Sequence, residues 1–183
     1  DRKDVHIRWF EDGTLNACYN CIDRHLEKRA DQTAIIWEGD DPARDAHISY
    51  RELHQRVCLM ANVLKKRGVR KGDRVTIYMP MIPQAAMAML ACARIGAVHS
   101  VVFGGFAAPE LASRIDDAKP SVILAASCGI EVDRVIEYKP LIDSAIELAD
   151  FKPLYTVVLQ RRQAVALLDK PIDKDWDICV SQS

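Results

Sequence analysis

Residues 74–106 read RVTIYMPMIPQAAMAMLACARIGAVHSVVFGGF. The run Arg74 to Met79 is rich in β-branched and aromatic side chains and stops at Pro80, which predicts a strand. Ile82 to Ile95 is apolar on nearly every side and rich in Ala and Met, which predicts a helix buried between layers. Pro83 suits the first turn of that helix, and Gly96 closes it. Ala97 to Phe103 then returns as a second apolar, strand-like run. Strand, buried helix and strand make a βαβ unit, and strands with continuous apolar runs belong to a parallel sheet covered on both faces.

The same alternation extends in both directions. Toward the N-terminus, Thr33 to Trp37 is a short strand ending in the turn-rich Glu38–Pro42. A helix follows from about Arg51 to Lys66, with Ser49 and Glu52 spaced as a capping box. Leu53, Val57, Met60, Ala61 and Leu64 line one face of it. Gly68 stands at its end, after Lys65, Lys66 and Arg67, cations that suit the negative pole of a helix. Toward the C-terminus come a helix over Pro109 to Lys119, a strand over Ser121 to Ala126, a helix over Tyr138 to Asp150 and a strand over Leu154 to Leu159. The fold class expected is α/β, a doubly wound parallel sheet flanked by helices. It divides into an N-terminal extension over 1–31, the α/β subdomain over 32–160 and an irregular tail over 161–183.

Composition narrows the function classes. The 183 residues carry 25 Lys+Arg against 26 Asp+Glu, a net charge of −1, and 49% are hydrophobic. That balance excludes a globally basic nucleic-acid binder. The longest apolar run, Ile82 to Ala93, is too short to span a bilayer and stops at Arg94, so no membrane span is expected. The six cysteines are scattered among helical and strand-like runs, which fits free thiols in a reducing compartment. Asp1 stands where an initiator Met would, and no charged-then-apolar leader follows. A processed protein or a piece of a longer one is expected.

In open α/β sheets ligands bind at loops leaving the carboxyl ends of strands. Phe103-Gly104-Gly105-Phe106 is such a loop. Its paired glycines either let backbone approach a ligand closely or simply form a tight turn into the next helix. It lacks the glycine spacings of the dinucleotide and P-loop fingerprints. The segment Ser127 to Arg134 is a second candidate loop, where Arg134 either meets a phosphate or pairs with Asp133 or Glu137. Cys18-x-x-Cys21 with His25 has no second ligand pair, so buried structural thiols are expected rather than a metal site. The cations Lys65, Lys66, Arg67, Arg70, Lys71 and Arg74 read as a solvated helix end, and His99 as a packed core histidine.

Several strings resemble a known family. Arg8-Trp9-Phe10, Asp12 to Asn16, Asn20 to His25, Ala34 to Asp40, Tyr78 to Met81, Leu90 to Ala97 and, above all, His99 to Phe106 are similar to the N-terminal region of the AMP-forming short-chain acyl-CoA synthetases. These are the acetyl- and propionyl-CoA synthetases of the adenylate-forming enzymes, and the resemblance covers nearly the whole chain.

The resemblance implies a two-step ligase. ATP and a short carboxylate give an acyl-adenylate and pyrophosphate, and CoA thiol then gives acyl-CoA and AMP. It places the nucleotide end of CoA at Gly104, Gly105 and Arg134, all of which match the family pattern. Glu131 stands where acetyl-CoA synthetases usually carry an arginine. Gly129-Ile130-Glu131, Glu137-Tyr138 and Asp175-Trp176-Asp177 look more like the propionate branch. The family's phosphate loop, adenylate-binding Thr-Glu segment and C-terminal catalytic lysine do not occur, so no catalytic residue is expected within this chain. Ligands of the Mg2+ that accompanies ATP are expected outside it too. The implied partners are CoA, ATP, a short carboxylate and the remainder of a parent chain, in the cytoplasm or the mitochondrial matrix. A stand-alone, non-catalytic module that binds CoA or docks on a partner is the alternative.

Overall fold

The structure, a computed structural model, describes residues 7–39 and 44–183. In chain order the elements are α1 (Ala17–Cys21), a 3-10 turn (Asp23–His25), α2 (Leu26–Arg29), β1 (Thr33–Glu38), β2 (Asp45–Ser49), α3 (Tyr50–Lys66), β3 (Arg74–Tyr78), α4 (Pro83–Ile95), β4 (Val98–Val102), α5 (Ala108–Ala118), β5 (Val122–Ala126), β6 (Cys128–Glu131), β7 (Arg134–Glu137), α6 (Tyr138–Leu148), β8 (Tyr155–Leu159), β9 (Asp173–Asp175) and α7 (Trp176–Ser181). The turn expected over Glu38–Pro42 falls, at 40–42, outside the described residues.

Local chemistry sets the element ends. Ser49 Oγ accepts from the Glu52 amide at 3.2 Å, while Glu52 Oε2 accepts from the Ser49 amide at 3.1 Å, closing the capping box of α3. Gly68, just past that helix, takes φ +84°, the left-handed conformation that ends helices and that glycine adopts without a Cβ clash. Pro83 opens α4, and Gly96 ends it at φ +73°.

Five strands form one parallel sheet in the order β4-β3-β5-β8-β9. Relabelled by order of appearance this is 2-1-3-4-5, the doubly wound arrangement of flavodoxin-like sheets. The chain leaves β3 toward β4 through α4, then crosses back over β3 through α5 to reach β5. Right-handed crossovers running in opposite directions put their helices on opposite faces. Accordingly α3 and α4 pack together, and α5 packs on α6. All five residues of β5 are buried, as its central place between two strands and two helix layers demands. The pair β1–β2 is a separate antiparallel ribbon, and β6–β7 is a hairpin of its own.

Three expectations are corrected. His99 is exposed, because β4 has only one neighbouring strand and the face carrying His99 and Val101 is open to solvent. Residues 161–183 are not wholly irregular: β9 extends the sheet beside β8, and α7 packs back on β8, β9 and α3. The CxxC thiols differ, Cys18 being buried while Cys21 is exposed. Burial pushes the Cys18 thiol up, and it pushes Cys92 up to about 12, which keeps both protonated. Among the described residues no helix is long and apolar enough to cross a membrane.

Candidate functional site

The chain reverses its winding between β3 and β5, so the segments after these two strands leave toward opposite faces and open a crevice at their carboxyl ends. A cleft of about 540 Å³ occupies that position. Its lining comes from Met79 and Pro80 after β3, Phe103, Gly104 and Gly105 after β4, and Ile130, Glu131 and Tyr138 from the β6–β7–α6 segment. Trp37 of β1 closes one side, its Nε1 donating to the Met81 carbonyl at 2.8 Å. A wider cleft of about 740 Å³ adjoins it and shares Trp37, Ile82, Ile130 and Arg161.

Two tyrosines shape the site. Tyr78, the last residue of β3, is buried. Its hydroxyl lies 2.8 Å from the Phe106 carbonyl and 3.1 Å from the Gly104 carbonyl, so its single proton anchors the glycine loop over the strand end. Tyr138, the first residue of α6, leans on Tyr78 with ring centroids 4.8 Å apart and planes at 45°. The Tyr138 hydroxyl fits where two glycines leave room. A Cβ on Gly104 would lie 2.2 Å from that oxygen, and one on Gly129 2.1 Å. Close approach, not a special dihedral, is therefore what glycine supplies at position 104. At Gly105 the nearest atoms to a Cβ would be those of the Phe103 ring, at 2.4 Å. Burial pushes both phenols upward, with the charge of Glu131 adding to the shift of Tyr138, so both are neutral at ordinary pH.

The segment Ser127 to Arg134, expected as a loop, is instead mostly a hairpin. Strand β6 pairs antiparallel with β7, with Glu131 opposite Arg134. Its two-residue turn is Val132-Asp133, and Val132 takes φ +56°, a conformation that a β-branched residue rarely adopts. Behind the hairpin, Arg161 Nη1 donates to the Cys128 carbonyl at 3.0 Å, and the Arg161 amide donates to Ser127 Oγ at 2.8 Å.

Of the sequence-predicted site residues, Gly104 and Gly105 line the cleft. Arg134 does not. It is exposed on β7, across the hairpin from Glu131, which does line the cleft, and among the described residues it forms no ion pair with Asp133 or Glu137. Tyr78, Tyr138, Trp37 and Arg161 went unrecognised as site residues. The available signal was position for Tyr78 alone, which stands at the carboxyl end of β3, where an α/β sheet presents its ligand contacts. Among the described residues no group of three or more His, Cys, Asp or Glu is arranged to hold a metal ion.

Away from the cleft, the N-terminal elements are clamped to α4. Arg94 donates to both carboxylate oxygens of Asp23, each at 2.8 Å, and to Cys18 Sγ at 3.4 Å. The Asp23 carboxyl is held below its ordinary range, chiefly by those Arg94 hydrogen bonds. Asn16 Nδ2 donates to the carbonyls of Ala93 and Arg94 at 3.0 and 3.1 Å.

Comparison with known proteins gives a consistent result. Residues 22–180 match the family model of AMP-binding enzymes, and residues 1–21 match the acetyl-coenzyme A synthetase N-terminus. The acetyl-coenzyme A synthetase of Parvibaculum lavamentivorans is 60% identical over 167 residues, which cover 91% of this chain and 26% of that protein. The acetyl-coenzyme A synthetase of a Bradyrhizobium species is 61% identical over 147 residues, 80% of this chain and 23% of that protein. Among solved structures, the acetoacetyl-CoA synthetase from Streptomyces lividans matches with a TM-score of 0.83 at 25% identity, over 95% of this chain and 26% of that one. This chain spans about a quarter of the length of these relatives.

Proposed function

Because this chain belongs to the AMP-binding enzyme family, we propose that it forms the N-terminal portion of an AMP-forming short-chain acyl-CoA ligase, contributing scaffold and part of the CoA site. The reaction is acetate or propionate plus ATP and CoA to acyl-CoA, AMP and pyrophosphate. The observation that carries this reading is the cleft at the β3/β5 switch point, bounded by the Gly104-Gly105 loop that Tyr78 anchors. Its walls are largely apolar, with a few convergent polar groups, the usual make-up of a site for an organic ligand.

The chain's own residues hold and orient; they do not carry the chemistry. Gly104 and Gly105 bring backbone against the ligand, and Arg134 supplies a planar cation for a CoA phosphate. Positioning of this kind places the thiol for attack on an acyl-adenylate formed elsewhere in the parent protein. The described residues offer no cluster fitting the Mg2+ that accompanies ATP, so its ligands are assigned to the rest of the parent and no step is drawn through it. The carboxylate is acetate or propionate; the strings around Gly129, Tyr138 and Trp176 resemble the propionate branch.

Arg134→Ala in the full-length ligase is expected to raise the KM for CoA by the equivalent of about 1–3 kcal/mol, the scale of a charged hydrogen bond. The KM values for ATP and carboxylate should not move. A CoA KM equal to wild type removes Arg134 from the site. The isolated chain is expected to form no AMP from acetate or propionate, and measurable turnover would refute that.

A further inference from the structure

Tyr138 is 4% exposed and lines the cleft, yet its hydroxyl has no hydrogen-bond partner among the described residues. That oxygen is not one of the fully buried, unpartnered polar atoms, so it opens onto the cleft. Tyr78, stacked against it, instead reaches two carbonyls. A loop and a strand each leave out a side chain at the Tyr138 hydroxyl, because a Cβ on Gly104 or on Gly129 would lie within 2.2 Å of it. A phenylalanine would fill the same stack without needing that room. The backbone is thus arranged to admit a hydroxyl that the protein itself does not bond.

We propose that Tyr138 is a positioning residue for the ligand of this cleft, and that its hydroxyl hydrogen-bonds a neutral polar group of CoA, an amide or an amine, rather than a phosphate. This rests on the CoA reading above. The choice between neutral group and phosphate follows from the surroundings. Glu131 lines the same cleft, and its carboxylate repels a phosphate while accepting from an N–H. Arg161, the cation that does line the cleft, is turned to the Cys128 carbonyl, to which its Nη1 donates at 3.0 Å, and Arg134 lies across the hairpin from Glu131, outside the cleft lining. One wall therefore reads the uncharged part of CoA, and the outer strand of the hairpin meets the charged part.

The test uses full-length ligase, with CoA and with dephospho-CoA, which lacks the 3′-phosphate. Tyr138→Phe removes an oxygen that bonds nothing in the protein, so the variant should fold with an unchanged melting temperature. The expected result is a rise of about 3- to 10-fold in KM for both thiols, the scale of one neutral hydrogen bond. The kcat and the KM for ATP and carboxylate should stay at wild-type values. A rise seen with CoA but not with dephospho-CoA would assign the hydroxyl to the phosphate and overturn the proposal. If Arg134→Ala raises the CoA KM while Tyr138→Phe does not, the Tyr138 assignment fails and the CoA reading stands. If neither variant changes it, the CoA reading itself falls.

Discussion

At one edge of the five-stranded sheet, β9 contributes three residues, all charged, and α7 packs back over the strand. At the other edge, β4 runs for five residues with Val98 and Val101 each 53% exposed. The β9 edge is sealed by a buried ion network. Lys139 of α6 reaches both oxygens of Asp143 at 2.7 Å and Asp173 of β9 at 2.9 Å, with Lys139 and Asp173 side chains 5% and 1% exposed. Among the described residues the β4 edge has no such seal over Val101, and apolar, unpaired strand edges are surfaces that proteins normally cover or charge. The difference teaches that this unit is complete on one side and open on the other. The cleft, framed partly by the loop leaving β4, lies toward the open side.

The largest expected effect breaks the sealed edge. Lys139→Ala leaves the Asp173 carboxylate buried without its cation, at a cost of about 3–5 kcal/mol. Denaturant titration of the variant checks this, and a loss below about 1 kcal/mol would mean that water or Lys170 replaces the missing charge. Replacing both partners together, Lys139→Met with Asp173→Leu, should recover much of the loss, because no stranded charge remains.

An intermediate effect concerns the clamp between the N-terminal elements and α4, and it depends on pH. The Asp23 carboxyl titrates below its unfolded value because Arg94 donates two hydrogen bonds to its charged form. A depressed carboxylate contributes stability that is present above the unfolded pKa, near pH ~4, and is lost as pH falls through the folded pKa. Wild type should therefore exceed Asp23→Asn in stability at neutral pH, and the gap should close as the pH drops below ~4. A gap that stays constant in acid would show that the Asp23–Arg94 pair is not what titrates.

The smallest effect belongs to the open edge. Val101→Lys should shift the stability of the isolated chain by no more than about 0.5 kcal/mol, since the side chain is half in water already. In the full-length ligase, if further chain packs over β4, the same change should cost clearly more. Equal small effects in both proteins would leave β4 a true outer edge.

Much of the fold was legible in the sequence because its signals are local. The capping box Ser49–Glu52, the glycines at 68 and 96, Pro83 at a helix start and the apolar run of α4 act within one or two turns of chain. Each appears in the structure where its chemistry predicts. The hairpin β6–β7 was not legible. Its turn, Val132-Asp133, carries neither Asn nor Gly, and a β-branched residue at φ +56° gives no turn signal. Nor was β9, since Asp173-Lys174-Asp175 has no strand propensity and is held by its pairing with β8 and by Lys139. His99 sits in an apolar string that reads as core, and only the placing of β4 at the sheet edge exposes it.

The site divides along the same line. The sequence by itself determined an α/β unit with a glycine loop at a strand's carboxyl end, because strand, helix and turn preferences are properties of neighbouring residues. Only the tertiary structure decided the strand order that opens the cleft between β3 and β5, the stacking of Tyr138 on Tyr78, and the gap between Gly104 and Gly129 that receives its hydroxyl. Residue 104 is distant in sequence from 129 and 138, which the β6–β7 hairpin brings together through the pairing of Cys128 with Glu137. What brings them together is the packing of β3, β5 and α6 around one buried core, where each side chain takes the space its neighbours leave.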